Sequence, residues 1–134
     1  MSCSVLVVDD EFEIRQLLST MLTMMGYQSF MAQDGLDALE KIPQYQPDIL
    51  ILDVMMPRMD GLTLCRQLRD TEETAALPII MLSGKAHQEA IQEGLKAGAN
   101  RYLVKPTGLD ELTRNINEVL GEAGALVSKK KVTA

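Results

Sequence analysis

Five side chains able to bind a metal ion or a phosphoryl group stand directly after short apolar runs of this sequence. Asp9 and Asp10 follow one run, and Asp53, Ser83 and Lys105 each follow another. Three carboxylates in one crevice repel one another by about 1–4 kcal/mol per close pair, so a cation or a proton must compensate them. Hard oxygen ligands in a small open site favour Mg²⁺, which binds carboxylates together with phosphate oxygens. With a lysine and a hydroxyl, these are the groups that phosphoryl transfer to a carboxylate nucleophile requires.

Each of these residues has an ordinary explanation when it is taken alone. Asp10 could cap a helix, Asp53 could begin a turn, Ser83 could be a strand-end hydroxyl, and Lys105 could be a surface lysine. These explanations do not require the side chains to converge at the ends of four separate strands. The coincidence therefore favours one shared functional site.

The apolar runs have the length of strands that are buried on both faces of a parallel sheet. Between them, apolar residues recur at three- and four-residue steps, which predicts a helix after each strand. Five strand–helix units imply an α/β fold with right-handed crossovers and helices on both faces of the sheet. Ligands of such sheets bind beyond the carboxyl ends of the strands, where the strand order reverses. The predicted strands are Val5–Val8, a weaker Gln28–Ala32, Ile49–Leu52, Ile79–Leu82 and Tyr102–Val104.

Several residues predict where helices begin and end. Gly26 is a stop for the first helix, because glycine readily adopts the left-handed conformation of a helix C-terminus. Asp34 is a predicted N-cap of the second helix, and Pro43 is predicted to end it. Thr107 and Asp110 have the spacing of a capping box for the last helix.

The composition fits a single domain. The chain has 134 residues, of which 46% are hydrophobic and 24% are charged, so it can bury a core. We predict a folded domain over residues 1–121 and a short flexible tail over residues 122–134, whose lysines at 129–131 are solvated.

Charge and hydropathy exclude several classes of function. The net charge of −6 argues against binding to a nucleic-acid backbone, which usually requires a basic face. No apolar run approaches the roughly 18 residues of a membrane span, and the N-terminus lacks the basic region of a signal peptide. The two cysteines, Cys3 and Cys65, form neither a metal-binding spacing nor a disulfide framework. These features predict a cytoplasmic protein that contacts neither nucleic acid nor membrane directly.

The motifs around the strand ends resemble the receiver domain of two-component response regulators. The matching segments are VVDDE at 7–11, LDVMMPRMDG at 52–61, IMLSG at 80–84 and GANRYLVKP at 98–106. The resemblance extends over residues 4–121, nearly the whole chain. It implies a doubly wound, flavodoxin-like (βα)5 fold with strand order 2-1-3-4-5.

The resemblance implies a phosphoacceptor and a metal site. Asp53 corresponds to the aspartate that takes a phosphoryl group from a phosphohistidine on a sensor kinase. Asp10, Asp53 and the backbone carbonyl of Met55 correspond to the ligands of Mg²⁺, for which Mn²⁺ can substitute. Asp9 corresponds to a ligand that acts directly or through water.

The remaining motif residues correspond to groups that hold the phosphoryl group and respond to it. Lys105 pairs with the phosphoryl oxygens, Ser83 donates a hydrogen bond to them, and Gly84 leaves room and a backbone N–H beside them. Tyr102 corresponds to the switch aromatic, which turns inward once the serine moves. Pro106 corresponds to a cis-proline that aims the lysine.

Two further residues stand at positions that vary in the family. Met55 lies two residues after the acceptor and Lys85 lies two after Ser83, and both positions bear on the lifetime of the phosphoryl group. His87, the only histidine, has no evident partner for metal binding or phosphoryl donation. We expect it to face solvent near the fourth helix.

The resemblance thus predicts a stand-alone, single-domain receiver of the chemotaxis-like type, a signalling switch that turns over no separate substrate. Its expected partners are a sensor histidine kinase or phosphotransfer protein and a downstream protein that binds the fourth helix, fifth strand and fifth helix. The resemblance also allows a phosphorylation-dependent dimer. The alternative is a receiver cut from a longer regulator that carries a DNA-binding or enzymatic effector domain.

Two other classes of protein on similar sheets fit less well. An aspartate-nucleophile phosphatase carries an Asp-x-Asp pair after its first strand, whereas here the nucleophile follows the third strand and the segment Asp53–Met55 lacks the second aspartate. A flavin-binding module needs a phosphate loop rich in glycine and hydroxyl groups after the first strand. Asp9 and Asp10 at that position would repel the flavin phosphate.

Overall fold

The structure, a computed structural model, describes residues 3–133, with side chains described for residues 3–122. Within residues 3–133, five strands alternate with five helices, and one 3₁₀ turn at Glu72–Thr74 precedes the fourth strand. The strands are β1 Ser4–Val8, β2 Gln28–Ala32, β3 Ile49–Asp53, β4 Ile79–Ser83 and β5 Arg101–Val104. The helices are α1 Phe12–Met24, α2 Gly35–Tyr45, α3 Gly61–Asp70, α4 Gln88–Ala97 and α5 Leu109–Thr133.

All neighbouring strands are parallel, in the order β2-β1-β3-β4-β5. This confirms the predicted doubly wound α/β fold. The strand order reverses next to β1, which lies between β2 and β3. The carboxyl ends of β1 and β3 therefore lie side by side, and Val8 pairs with Leu52 in the parallel register. The residues that follow this pair, Asp9 and Asp53, are brought together at the same edge of the sheet.

Each face of the sheet packs against its own set of helices, because strand side chains alternate between the faces. Leu6, Leu50 and Met81 lie on the face covered by α2, α3 and α4. Val7 and Ile51 lie on the opposite face, which is covered by α1 and α5. Every residue of β1, β3 and β4 is buried, which accounts for the continuous apolar runs in the sequence. Burying each large aliphatic side chain contributes about 1.5–3 kcal/mol before entropy is subtracted.

The predicted helix ends are partly right. Gly26 follows α1 with φ of 89°, and the Asp34 side chain accepts a hydrogen bond from the Asp37 N–H at the start of α2. The prediction that Pro43 ends α2 is wrong. The helix continues to Tyr45 because the Gln46 N–H still reaches the Ile42 carbonyl, at 2.8 Å.

The beginning and end of α5 differ from the sequence-based expectation. The helix begins at Leu109, since the Gly108 carbonyl accepts the hydrogen bond from the Leu112 N–H. The Thr107 hydroxyl is buried and has no hydrogen-bond partner among the described residues, so the predicted capping box is wrong. The helix backbone continues past Gly121 to Thr133. Side chains of residues 123–134, including the lysine run at 129–131, lie outside the described part of the chain, and the predicted domain boundary stays a prediction.

Among the described residues, none of the helices combines the length and the apolar content that crossing a bilayer requires.

Candidate functional site

Three carboxylates meet at the carboxyl edge of the sheet. One oxygen each of Asp9, Asp10 and Asp53 lies within 4.8 Å of the other two. Asp9 and Asp53 are only 2% and 5% exposed, whereas Asp10 faces solvent. The cluster is thus buried on one side and open on the other, as a site that admits an ion from solution requires.

Lys105 is the cation that faces this cluster. Its Nζ lies 2.9 Å from Asp9 Oδ2 and 3.5 Å from Asp53 Oδ1. Its backbone N–H donates to the Ser83 carbonyl at 2.8 Å, so β4 holds the residue in place just after β5 ends. The Lys105–Pro106 peptide bond is cis, as predicted. One ammonium group thus contacts two of the three carboxylates.

The charge imbalance appears in the pKa of Asp53. Burial, and then the negative charge of Asp9, raise this pKa to about 6, although Lys105 and the Met55 N–H act in the opposite direction. Burial would lower the pKa of the Lys105 ammonium, but hydrogen bonding to Asp9 and attraction to Asp53 outweigh it and leave the pKa raised. Two negative charges remain uncompensated when all three carboxylates are ionised. The donor set therefore fits a divalent cation that prefers oxygen ligands, such as Mg²⁺.

The open side of the cluster adjoins a cavity of about 420 Å³. Asp10, Met55 and Lys85 line it, together with residues of the loop that follows β3. The Met55 side chain is 58% exposed. Met55 and Lys85, the two predicted lifetime positions, therefore both border the approach to the carboxylates. A larger cavity of about 590 Å³ lies at the opposite edge of the sheet, between α2 and α3, away from the chemistry.

The predicted switch residues are linked through the loop between β4 and α4. Ser83 is buried, and its hydroxyl accepts a hydrogen bond from the Lys85 N–H at 3.2 Å. The Tyr102 hydroxyl donates to the Lys85 carbonyl at 2.9 Å, and its ring packs so closely on Gly94 that a Cβ there would lie 2.7 Å from it. The half-buried Tyr102 ring therefore packs against α4, and its inward turn in response to the serine stays a prediction. A Cβ at Gly84 would meet no atom within 4 Å, so the space there is open.

Two residues that were assigned no role in the sequence are placed at specific positions by the fold. A Cβ at Gly61 would overlap the backbone oxygen of Asp53, and the Gly61 N–H donates to the Val54 carbonyl at 2.9 Å. Only glycine allows the loop after β3 to close this tightly behind Asp53. His87 is exposed, as predicted, and its Nδ1 accepts from the Ala90 N–H at 3.2 Å, which caps α4. Histidine is not among the residues preferred at an N-cap, so the sequence did not indicate this capping role.

The raised pKa of Asp53 predicts the pH dependence of stability without metal. Between its ordinary pKa of 3.8 and its folded value of about 6, the folded state holds a proton that the unfolded state has released. Stability is therefore lost as pH rises through 6. Lowering the pH from about 7.5 to about 5 in EDTA should raise the free energy of unfolding by about 1 kcal/mol. Urea unfolding at each pH measures this, and a free energy that is flat or falls on acidification contradicts it.

The comparison with known families agrees with this geometry. The family model of the response regulator receiver domain matches residues 5–117. The chain therefore belongs to the response regulator receiver domain family, a family of two-component signalling.

The chain is similar to part of a longer regulator. The response regulator MprA of Mycobacterium ulcerans (strain Agy99) is 46% identical over 120 residues, which cover 90% of this chain and 51% of MprA. MprA of Mycobacterium tuberculosis (strain H37Rv) is 45% identical over the same length. The chain thus spans about half the length of the curated relatives that it matches.

The fold is also similar to solved receiver structures. The receiver domain of the sensor histidine kinase PA1611 from Pseudomonas aeruginosa PAO1 has a TM-score of 0.83 and 30% identity, covering 90% of this chain and 99% of that domain. That structure contains a magnesium ion coordinated in the active-site cleft. The chemotaxis protein CheY4 of Vibrio cholerae also has a TM-score of 0.83, with 36% identity over 89% of this chain and 99% of that protein.

Proposed function

We propose that this domain is a phosphoacceptor switch that receives a phosphoryl group on Asp53, in the presence of Mg²⁺, from a phosphohistidine of a sensor kinase. The observation that carries the proposal is the buried carboxylate cluster, with the Lys105 ammonium 2.9 Å from Asp9 and 3.5 Å from Asp53. The magnesium ion in the similar PA1611 receiver supports a metal in the same cleft here.

The transfer forms one bond and breaks one bond. An Asp53 carboxylate oxygen attacks the phosphorus of the donor, and the phosphorus–nitrogen bond breaks, with its electron pair returning to the donor imidazole. Asp10, Asp53 and the Met55 carbonyl would hold Mg²⁺, with Asp9 acting directly or through water. When bound, the metal neutralises charge on the carboxylates and on the phosphoryl oxygens.

Lys105 and Ser83 then hold the product. The Lys105 ammonium already lies near Asp53 Oδ1, so it can pair with a phosphoryl oxygen without a large movement. The Ser83 hydroxyl accepts from the Lys85 N–H in the present structure and retains its own proton to donate to the phosphoryl group. Gly84 leaves open space beside that hydroxyl.

The signal would leave the site through α4, β5 and α5. Ser83 and Tyr102 both bind the backbone of Lys85, at its N–H and its carbonyl respectively. A movement of the serine toward the phosphoryl group shifts that backbone and therefore the hydrogen bond of the tyrosine. Because Tyr102 packs on Gly94 of α4, the change reaches the face that we propose as the binding surface for a downstream protein.

One finding favours a second arrangement, in which the receiver is part of a longer protein rather than a stand-alone domain. The chain covers only 51% of the related MprA regulator, so it is also consistent with a receiver that belongs to a longer protein with an effector domain. In either arrangement the domain acts as a switch in the cytoplasm rather than as an enzyme with a separate substrate.

Incubation with acetyl phosphate tests the proposed function. In Mg²⁺ the protein should gain the mass of one phosphoryl group, in an acid-labile linkage, and the gain should disappear in EDTA. Intact-protein mass spectrometry at several times after mixing gives the rate. No gain in Mg²⁺, or an equal gain in EDTA, would show that this site does not work as proposed.

A further inference from the structure

The loop between β3 and α3, residues 54–60, is docked onto the N-terminus of α2 by an ion pair. The Nε and NH2 atoms of Arg58 lie 2.8 and 2.7 Å from Asp34 Oδ2. The other carboxylate oxygen of Asp34 accepts the N–H of Asp37 at 2.9 Å, as the N-cap of α2. The Asp34 side chain is 7% exposed, so a buried carboxylate holds the half-exposed guanidinium.

The backbone of Arg58 adopts a conformation that side chains rarely permit. Its φ is 65°, and the Met59 N–H donates across it to the Pro57 carbonyl at 2.7 Å. This is a γ-turn with positive φ, the rare and strained form of that turn. Strain of this kind persists only where the surrounding structure enforces it, and such positions cluster at functional sites. The ion pair to Asp34 is a contact of the surrounding structure with this residue.

Two further contacts hold the loop on either side of this turn. A Cβ at Gly35 would lie 2.8 Å from Met59 Cβ, so the N-terminus of α2 and the loop are in close contact. The Gly61 N–H donates to the Val54 carbonyl and closes the loop at its base. Met55, whose carbonyl is the proposed metal ligand, lies between the closed base and the strained turn.

We propose that the Arg58–Asp34 ion pair is a positioning device that holds the strained turn and thereby places the Met55 carbonyl toward the carboxylate cluster. The proposal rests on the proposed function, since it assigns the pair a role in metal binding and phosphoryl acceptance. Both residues act through the loop and are positioning residues. Burial raises the pKa of Asp34, but hydrogen bonds from Asp37 and Arg58 outweigh it and leave the pKa lowered, so the pair stays charged.

Two substitutions remove the ion pair from opposite sides. Arg58→Gly deletes the guanidinium and also relieves the backbone strain, because glycine adopts positive φ freely. Asp34→Ser deletes the carboxylate but keeps an oxygen that can cap α2. Removal of a partner that orients a metal ligand weakens metal binding by about tenfold or more, so we expect the Mg²⁺ dissociation constant to rise about tenfold in both variants. The phosphorylation rate at subsaturating Mg²⁺ should fall to the same extent.

The sign of the effect in Arg58→Gly separates positioning from simple electrostatics. Removing a cation near the cluster would relieve Coulomb repulsion of Mg²⁺ and would by itself strengthen Mg²⁺ binding. Weaker binding therefore reports the lost position of the loop. Arg58→Gly should also melt higher than Arg58→Ala, which loses the ion pair and keeps the strained backbone. Lys41→Ala is the matched control, because it removes a cation that is paired with Asp37 on the same helix and leaves the loop intact. It should bind Mg²⁺ like the wild type.

Amide hydrogen exchange of the metal-free protein measures how firmly the loop is held, independently of phosphorylation. The Gly61 N–H should exchange several-fold faster in Arg58→Gly and Asp34→Ser than in the wild type. Mg²⁺ titration followed by amide NMR shifts gives the dissociation constants. The inference is overturned if exchange is unchanged, or if both variants bind Mg²⁺ and accept the phosphoryl group like the wild type. If the wild type itself does neither, the proposed function fails and the inference fails with it, whereas a loss confined to the variants supports both.

Discussion

Asp53→Asn should abolish the gain of a phosphoryl group from acetyl phosphate, to below one hundredth of the wild-type rate. The amide oxygen of asparagine carries no full negative charge and cannot form the acyl phosphate, while the side chain keeps the size and shape of aspartate. One oxygen each of Asp9 and Asp10 lies within 4.8 Å of an Asp53 oxygen. Neither carboxylate occupies the position of the Asp53 side chain, at the end of β3 and beside Lys105. We therefore expect no alternative acceptor to replace Asp53.

The same substitution should raise the melting temperature of the metal-free protein. The Asp53 carboxylate is buried, and burial together with the charge of Asp9 raises its pKa to about 6, so its ionisation at neutral pH opposes folding. A neutral amide removes that cost. A gain of about 1 kcal/mol corresponds to roughly 3–5 °C for a domain of this size. Loss of labelling together with a higher melting temperature distinguishes a functional loss from an unfolded protein.

Asp60→Asn is the matched control for both measurements. Asp60 is exposed, borders the same cavity and accepts the Thr63 N–H as the N-cap of α3, a role that asparagine also performs. It should take up the phosphoryl group at the wild-type rate. Labelling of Asp53→Asn that equals the wild type, or an Asp60→Asn variant that no longer labels, would contradict the assignment of the acceptor.

Met55→Asn should shorten the lifetime of the phosphorylated protein about tenfold, which corresponds to about 1.4 kcal/mol in the hydrolysis barrier. Hydrolysis requires a water in line with the bond that breaks, opposite the Asp53 oxygen. The Met55 side chain is exposed beside the cavity that leads to the carboxylates, offers no strong hydrogen bond to such a water and can cover the phosphoryl group. An asparagine amide could hold the water in place.

The lifetime is measured as loss of the phosphoprotein after removal of the donor, at fixed Mg²⁺. Met24→Asn is a suitable control because Met24 is 71% exposed at the end of α1, away from the carboxyl edge of the sheet. Its phosphoprotein should decay like the wild type. Decay of Met55→Asn that is equal to or slower than that of the wild type would show that Met55 does not control access of water. Lys85→Ala in the same assay tests the second lifetime position, which borders the same cavity.

Much of the fold could be predicted from the sequence because its strands are short, fully buried and uninterrupted. A run such as Ile49–Leu52 has few alternatives once it is bounded by polar residues, and the helical stripes between the runs are equally local signals. The carboxyl ends of parallel strands lie at one edge of the sheet, so the convergence of Asp9, Asp53 and Lys105 followed from those runs. The structure brings these residues together, with Asp10 beside them.

The failed predictions concern positions where a local signal was overruled by packing. Pro43 does not end α2, because the hydrogen bond from Gln46 to Ile42 forms beyond it. Thr107 does not cap α5, because its hydroxyl is buried and has no hydrogen-bond partner among the described residues, and the Gly108 carbonyl accepts the first hydrogen bond of the helix. Both signals are statistical preferences of single residues, and their energies are about 1–3 kcal/mol, which tertiary contacts can exceed.

The sequence by itself determined the α/β class, the strands and the residues available for chemistry, because these depend on local periodicity and residue type. Only the tertiary structure decided which distant groups meet. Asp34 and Arg58 are 24 positions apart, and no pattern in the chain joins them, yet they form the ion pair that holds the loop beside the acceptor. The packing of the Tyr102 ring likewise depends on the close approach of α4 at Gly94. Such contacts are set by the packing of whole elements, which no short stretch of sequence encodes.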